Sequence, residues 1–181
     1  SSRSPRAQPE YATCWAESNT ASLASVRAWR LSAERWADPP LSGRGAELHG
    51  GRWNPKGVPC VYLSSSLALA TLELLVHLEG RAPAEPFVAI EVEIPDGLIP
   101  DPLSPATLPI DWRTFPAPAQ LASVGAEWLG RASELVLAVP SVIVPSETNL
   151  LLNPRHSDVA RVEVVNVTPF GFDPRLFPFG P

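Results

Sequence analysis

A carboxylate on an otherwise apolar helix is costly to place, and Glu73 is such a group, set among Leu67, Leu69, Leu72, Leu74, Leu75, Val76 and Leu78. Burying it without a partner or a use is unfavourable, so it is either half of a salt bridge with an arginine or a carboxylate that does work. His77 follows one helical turn later, where the two side chains can share a face and a hydrogen bond. The three histidines are scattered and show no H-E-x-x-H spacing, which argues against a metal site.

Arginine supplies the second kind of chemistry. Arg52 lies in Gly50-Gly51-Arg52-Trp53-Asn54, where paired glycines let the backbone approach a ligand and the guanidinium offers planar, bidentate recognition of phosphate. The plainer reading is an exposed arginine in a glycine turn. Arg30 follows Trp29 at the end of an apolar stretch and is either a ligand group or a cation stacked on the indole. Tyr62 reads as a core aromatic or as a stacking platform. Ser141 follows Pro140 without a G-x-S-x-G elbow, so a hydrolase built on Ser141 and His156 is weakly supported. Neither G-x-G-x-x-G nor G-x-x-x-x-G-K-[ST] occurs, which disfavours Rossmann or P-loop cradling of a nucleotide.

The elements that must carry these groups follow from periodicity and turn residues. A strand is expected over 26–31, then a long loop, ADPPLSGRGAELHGGRWNPKG, rich in Trp, Arg and Asn and for that reason a functional loop. A short strand over 60–64 leads to a helix capped by Ser65 or Ser66, running to about Glu79 and largely buried because apolar residues surround it. Residues 87–94 alternate, with Val88, Ile90, Val92 and Ile94 on one face and Glu91 and Glu93 on the other. The proline-rich stretch 99–118 promises little regular structure. A short helix over 119–130 follows, then strands over 135–144 and 159–167, with Pro140 marking an edge or a bulge.

Composition narrows the function classes. The 181 residues are 45% hydrophobic, enough for the core of one domain over 25–181, preceded by a polar, partly flexible arm over 1–24 that carries a short helix over 14–24. A net charge of −5 and a pI near 5.2 oppose direct binding of nucleic acid. Cys14 and Cys60 are too few for a disulfide framework. No apolar run is long enough to span a bilayer, and no basic-then-apolar leader pattern opens the chain, so a cytoplasmic protein is expected, with no membrane partner. The chain contains no Met, from which its opening residues are expected to be a processed terminus or a remnant of added sequence.

Three stretches in order, GAELHGGRWNPKGVPCVYLSSSLALATLELLVHL, VPSVIVPSETNLLLNPRH and FDPRLF, closely resemble the RES-domain family of bacterial toxins. The resemblance spans about 26–177, and GGRWN followed by the tyrosine and the A-x-L-E-x-L-V-H-L helix is its most specific part. It implies an α+β fold like the ADP-ribosyltransferases, a split β core with short surrounding helices and an NAD cleft. It also implies the toxin of a type II toxin–antitoxin system that consumes NAD, cleaving the nicotinamide–ribose bond and passing ADP-ribose to a target protein, water or phosphate. NAD is then a substrate, no metal is required, and the partner is an antitoxin of the Xre or ParS type. By the same resemblance, Glu73, Arg30 and Ser141 are catalytic, while Arg52 and Tyr62 bind NAD. Trp29 departs from the family, where many members carry tyrosine. The competing expectation is a catalytically inactive module that keeps the fold only to bind its antitoxin.

Overall fold

The computed structural model describes residues 24–177; the expected arm and its helix over 14–24 lie almost wholly outside the described residues. Six strands form one sheet: β1 (Ser25–Ala33), β2 (Val61–Ser64), β3 (Phe87–Pro95), β4 (Val136–Pro140), β5 (Thr148–Leu152) and β6 (Glu163–Phe170). Their order is β4-β5-β2-β1-β3-β6, and every neighbouring pair is antiparallel. Three helices accompany it: α1 (Arg44–His49), α2 (Leu67–Leu75) and α3 (Ala119–Arg131).

The sheet is split at its centre. β1 and β3 are registered along their whole length, from Ser25 opposite Pro95 to Ala33 opposite Phe87, whereas β1 and β2 are registered only at Trp29 opposite Ser64. Two half-sheets, β4-β5-β2 and β1-β3-β6, therefore diverge from one point of contact. This is the split β core expected from the sequence.

The halves are buried differently. In β1-β3-β6, Val88, Ile90, Val92 and Ile94 face the core, while Glu91 and Glu93 on the other face pair with Arg27 at 2.9 and 3.1 Å. In β4-β5-β2 both faces are covered. Val61, Leu63, Leu150 and Leu152 join one apolar cluster, and Leu137, Val139 and Leu151 join a second with Trp53, Trp112 and Trp128. Burial on both faces erases the period-2 signal. That is why β5, with its run of three leucines, was not expected from the sequence. Pro140 closes β4, which is an edge strand, as its proline required.

Several boundaries differ from expectation. The long loop contains α1, which starts after Gly43 (φ 67°) and stops at Gly50 (φ 74°). Helix α2 is capped by Ser66, whose hydroxyl accepts from Leu69 N at 3.1 Å, but it ends at Leu75 and continues as turns through Glu79 (φ 50°) and Gly80 (φ 76°). Nor is it largely buried. It packs on β1 and β2 along one side only, so Leu69 and Ala70 are enclosed while Leu72 and Val76 are 42% and 56% exposed. The final segment splits into a 3-10 turn, Ser157–Arg161, and β6. The FDPRLF motif is structural: Asp173 caps a turn over Pro174–Leu176, and Phe172 packs edge-on against Phe87, Phe170 and Phe177.

Candidate active site

The site assembles where the half-sheets part. Ser64, the last residue of β2, is the register partner of Asn149 on β5 and of Trp29 on β1, and cross-strand partners project to the same side of a sheet. Helix α2 begins two residues after β2 and returns Glu73 over that side. Asn149 Nδ2 donates to Glu73 Oε1 at 2.5 Å, and Ser64 Oγ donates to Asn149 Oδ1 at 2.7 Å.

Ser141 reaches the same carboxylate from the end of β4, its hydroxyl donating to Oε1 at 2.8 Å. The chain turns sharply after Pro140, so the Ser141 oxygen also accepts from Ile143 N at 3.1 Å and Val144 N at 3.0 Å. Ser141 is 0% exposed. Its hydroxyl is fully engaged, and it acts on Glu73 from beneath. Glu73 itself is half-buried; both side-chain donors converge on Oε1, and Oε2 has no hydrogen-bond partner among the described residues.

Tyr62 and Arg52 form a second unit beside the first. The Tyr62 hydroxyl accepts from Trp53 N at 3.0 Å and donates to Asn54 Oδ1 at 2.7 Å, pinning the Gly51–Asn54 turn onto β2. Asn54 is tied in further by donating to Ala46 O and Val58 O, both at 2.9 Å. A Cβ on Gly51 would meet the Tyr62 hydroxyl at 2.5 Å, so glycine is the residue this brace admits. Gly125 of α3 likewise leaves room for the Trp53 carbonyl. The turn holds Arg52 with its guanidinium donating to Trp112 O at 2.6 Å and Thr114 O at 3.1 Å. Partial burial lowers the Arg52 pKa, while the negative charge of Glu73 pulls it back up, which places the two groups in one electrostatic neighbourhood. Burial pushes the Tyr62 phenol well above its ordinary value, so it remains a neutral donor.

Arg30 is not brought to this cluster. Adjacent strand residues point to opposite faces, and Trp29 takes the face shared with Ser64. Arg30 pairs with Ile90 on the other face and donates to Pro40 O at 2.9 Å, holding the loop ahead of α1. Burial lowers its pKa to about 10, against a smaller opposing effect of Cys60, and it remains a cation at neutral pH. His77 does not bond Glu73; it lies exposed beyond the end of α2, and the carboxylate is engaged by Ser141 and Asn149. His156 caps the turn over Ser157–Arg161 by accepting from Asp158 N at 3.0 Å, which leaves Ser141 without the base a serine hydrolase needs. Of the expected residues, Glu73 and Ser141 touch, Arg52 and Tyr62 stand beside them, and Arg30 is apart. Asn149 and Ser64 were not anticipated. The signal was present in N-x-L-L-N-P, but the role of its first asparagine needed the pairing of β5 with β2.

A six-stranded antiparallel sheet split at its centre, with three helices and a carboxylate held beside the split, defines an α+β domain. The chain belongs to the RES domain family, whose sequence profile matches residues 27–173. It is 44% identical over 149 residues to "Toxin Res" of Yersinia enterocolitica serotype O:8 / biotype 1B (strain NCTC 13174 / 8081), covering 82% of this chain and 97% of that one. It is 41% identical over 153 residues to "Prs ADP-ribosylating toxin" of Sphingobium sp. (strain YBL2), covering 82% and 94%. The fold is similar to a chain in the crystal structure of the M. tuberculosis MbcT–MbcA toxin–antitoxin complex, with a TM-score of 0.66 over 81% of this chain and 85% of that chain, at 18% identity.

Proposed function

We propose that this chain is the toxin of a toxin–antitoxin pair and an enzyme that breaks the nicotinamide–ribose bond of NAD, passing ADP-ribose to an acceptor. The observation that carries this reading is the carboxylate of Glu73, held through Oε1 by two donors, with no hydrogen-bond partner at Oε2 among the described residues, in the electrostatic field of Arg52. The named activity of the Sphingobium relative supports it.

The chemistry asks for this arrangement. As the bond between the ribose anomeric carbon and the nicotinamide nitrogen breaks, its electron pair leaves with the ring and the ribose acquires oxocarbenium-like positive charge. A fixed carboxylate stabilises that charge without reorganising, and Glu73 supplies it. The acceptor then bonds the anomeric carbon and gives up a proton. Arg52 binds the diphosphate through charge-assisted hydrogen bonds, and Tyr62 keeps it in place through the Gly51–Asn54 turn. Ser141 positions Glu73. Arg30 acts from the opposite face by holding the loop ahead of α1.

Residues 25–181 act as one domain in the cytoplasm, where NAD is the substrate, and the partner is an antitoxin protein of the Xre or ParS type. No described helix is long and apolar enough to cross a membrane. Growth and mass spectrometry test the proposal together. Expression arrests growth, Glu73→Ala relieves the arrest, and extract treated with the chain and NAD acquires ADP-ribose adducts on protein or accumulates free ADP-ribose or its phosphate. Equal toxicity of Glu73→Ala would detach the toxicity from this chemistry.

A further inference from the structure

We infer that Asn149, with its amide oriented by Ser64, is a positioning residue for Glu73, resting on the reading of Glu73 above. Ser64 Oγ, Asn149 and Glu73 form a relay with a defined direction. The Ser64 hydroxyl donates to Oδ1 at 2.7 Å, which turns Nδ2 toward Glu73, where it donates to Oε1 at 2.5 Å. With the amide reversed, two acceptors would face each other at the Glu73 end.

The donors are chosen for an ionised acceptor. Ser141 and Asn149 deliver their hydrogens to one oxygen, so the carboxylate plane is fixed from two directions, by β4 and by β5, and Oε2 is the oxygen left to act. Ser64 is 5% exposed and Asn149 is its register partner, so the relay rests on the sheet, the stiffest part of the site. Ser64 and Asn149 do work that the Glu73–Ser141 contact alone does not: they set which way the carboxylate faces the split between β1 and β2.

Asn149→Asp is nearly isosteric and keeps an acceptor for Ser64, but it replaces the donor at Glu73 by a like-charged oxygen. The expected result is a kcat lower by about 100-fold with KM for NAD little changed, since misplacement of a reacting group costs about that much. Ser64→Ala frees the amide to rotate and lowers kcat by a smaller factor, without touching Glu73. A purely structural role would lower thermal stability in both variants and leave kcat per folded molecule unchanged.

The deciding experiment reads the side-chain amide of Asn149 by nuclear magnetic resonance in the intact chain, alongside the kinetics. Its resonances are expected to shift on Glu73→Gln and on Ser64→Ala, and kcat is expected to fall in Asn149→Asp and Ser64→Ala. Amide resonances blind to both substitutions, or an unchanged kcat in folded Asn149→Asp, would overturn the inference. A wild-type chain that releases no nicotinamide while its Asn149 amide still reports both substitutions would overturn the enzymatic reading and leave the positioning of Glu73 standing.

Discussion

Ser141 donates its hydroxyl to Glu73 across 68 residues of sequence, from a position with no exposed surface. The contact joins the end of β4 to α2 and fixes the carboxylate from below. On the proposed reading, Ser141 acts through Glu73.

Ser141→Ala therefore separates position from contact. It strands Ile143 N and Val144 N and removes one donor from Glu73, which is expected to destabilise the fold by about 1–3 kcal/mol. Turnover should fall while KM for NAD stays close to the wild-type value. A large rise in KM with kcat unchanged would place the hydroxyl on the substrate instead.

Tyr62 and Gly51 should behave as one unit. Tyr62→Phe leaves Trp53 N and Asn54 Oδ1 without their shared partner, at a cost of about 1–2 kcal/mol, and raises KM for NAD by loosening Arg52. Gly51→Ala forces a methyl group against the Tyr62 hydroxyl and has the same phenotype. In the Tyr62→Phe background the hydroxyl contact is gone while those with Asn54 Oδ1 at 2.9 Å and the ring carbon at 3.0 Å remain, so the clash is eased in part and the double variant is expected to be somewhat less impaired than the sum of the singles. Additive effects, measured by denaturation and by KM, would contradict the brace.

Arg52→Ala and Arg30→Ala are expected to differ in kind. The first removes a cation from the field of Glu73 and should raise KM for NAD at least tenfold with modest loss of stability. The second removes the anchor of the Pro40 carbonyl from the opposite face, and its main effect should be on thermal stability. Matching KM effects with no change in melting temperature would place Arg30 in the NAD site.

Much of this was legible in the sequence. Alternation placed β3, the serine before α2 marked its cap, and Gly-Gly-Arg-Trp-Asn marked a glycine turn, while its bracing by Tyr62 emerged only from the packing. What escaped was decided by tertiary enclosure. The leucines of β5 carry no period because both faces are covered, and Asn149 was hidden with them. The apolar girdle of α2 suggested burial, yet among the described residues the helix packs on β1 and β2 and leaves Leu72 and Val76 exposed. Arg30, expected beside Glu73 and Ser141, lies on the face of Ile90, because strand alternation gives the face of Ser64 to Trp29.

Cys60 offers a check on the core that is independent of NAD. Burial pushes its thiol up to about 12 from 9.0, with Arg30 opposing more weakly. An acid whose folded pKa is raised contributes stability that is complete below its unfolded pKa and is lost as pH rises toward the folded one. Stability should accordingly decline between pH 9 and 12, and Cys60→Ala should flatten part of that slope. Peptide mapping after alkylation at pH 8 should find Cys60 unmodified in the folded chain and modified after denaturation.

The most direct test of the central claim is nicotinamide release from NAD by the purified chain, comparing wild type with Glu73→Gln. This substitution preserves shape and removes the negative charge. Release by the wild type and a loss of at least about 100-fold in a folded Glu73→Gln chain is the predicted result, since removing one preorganised electrostatic group costs about that much. Equal release by both, or none by the wild type with any acceptor present, would contradict it.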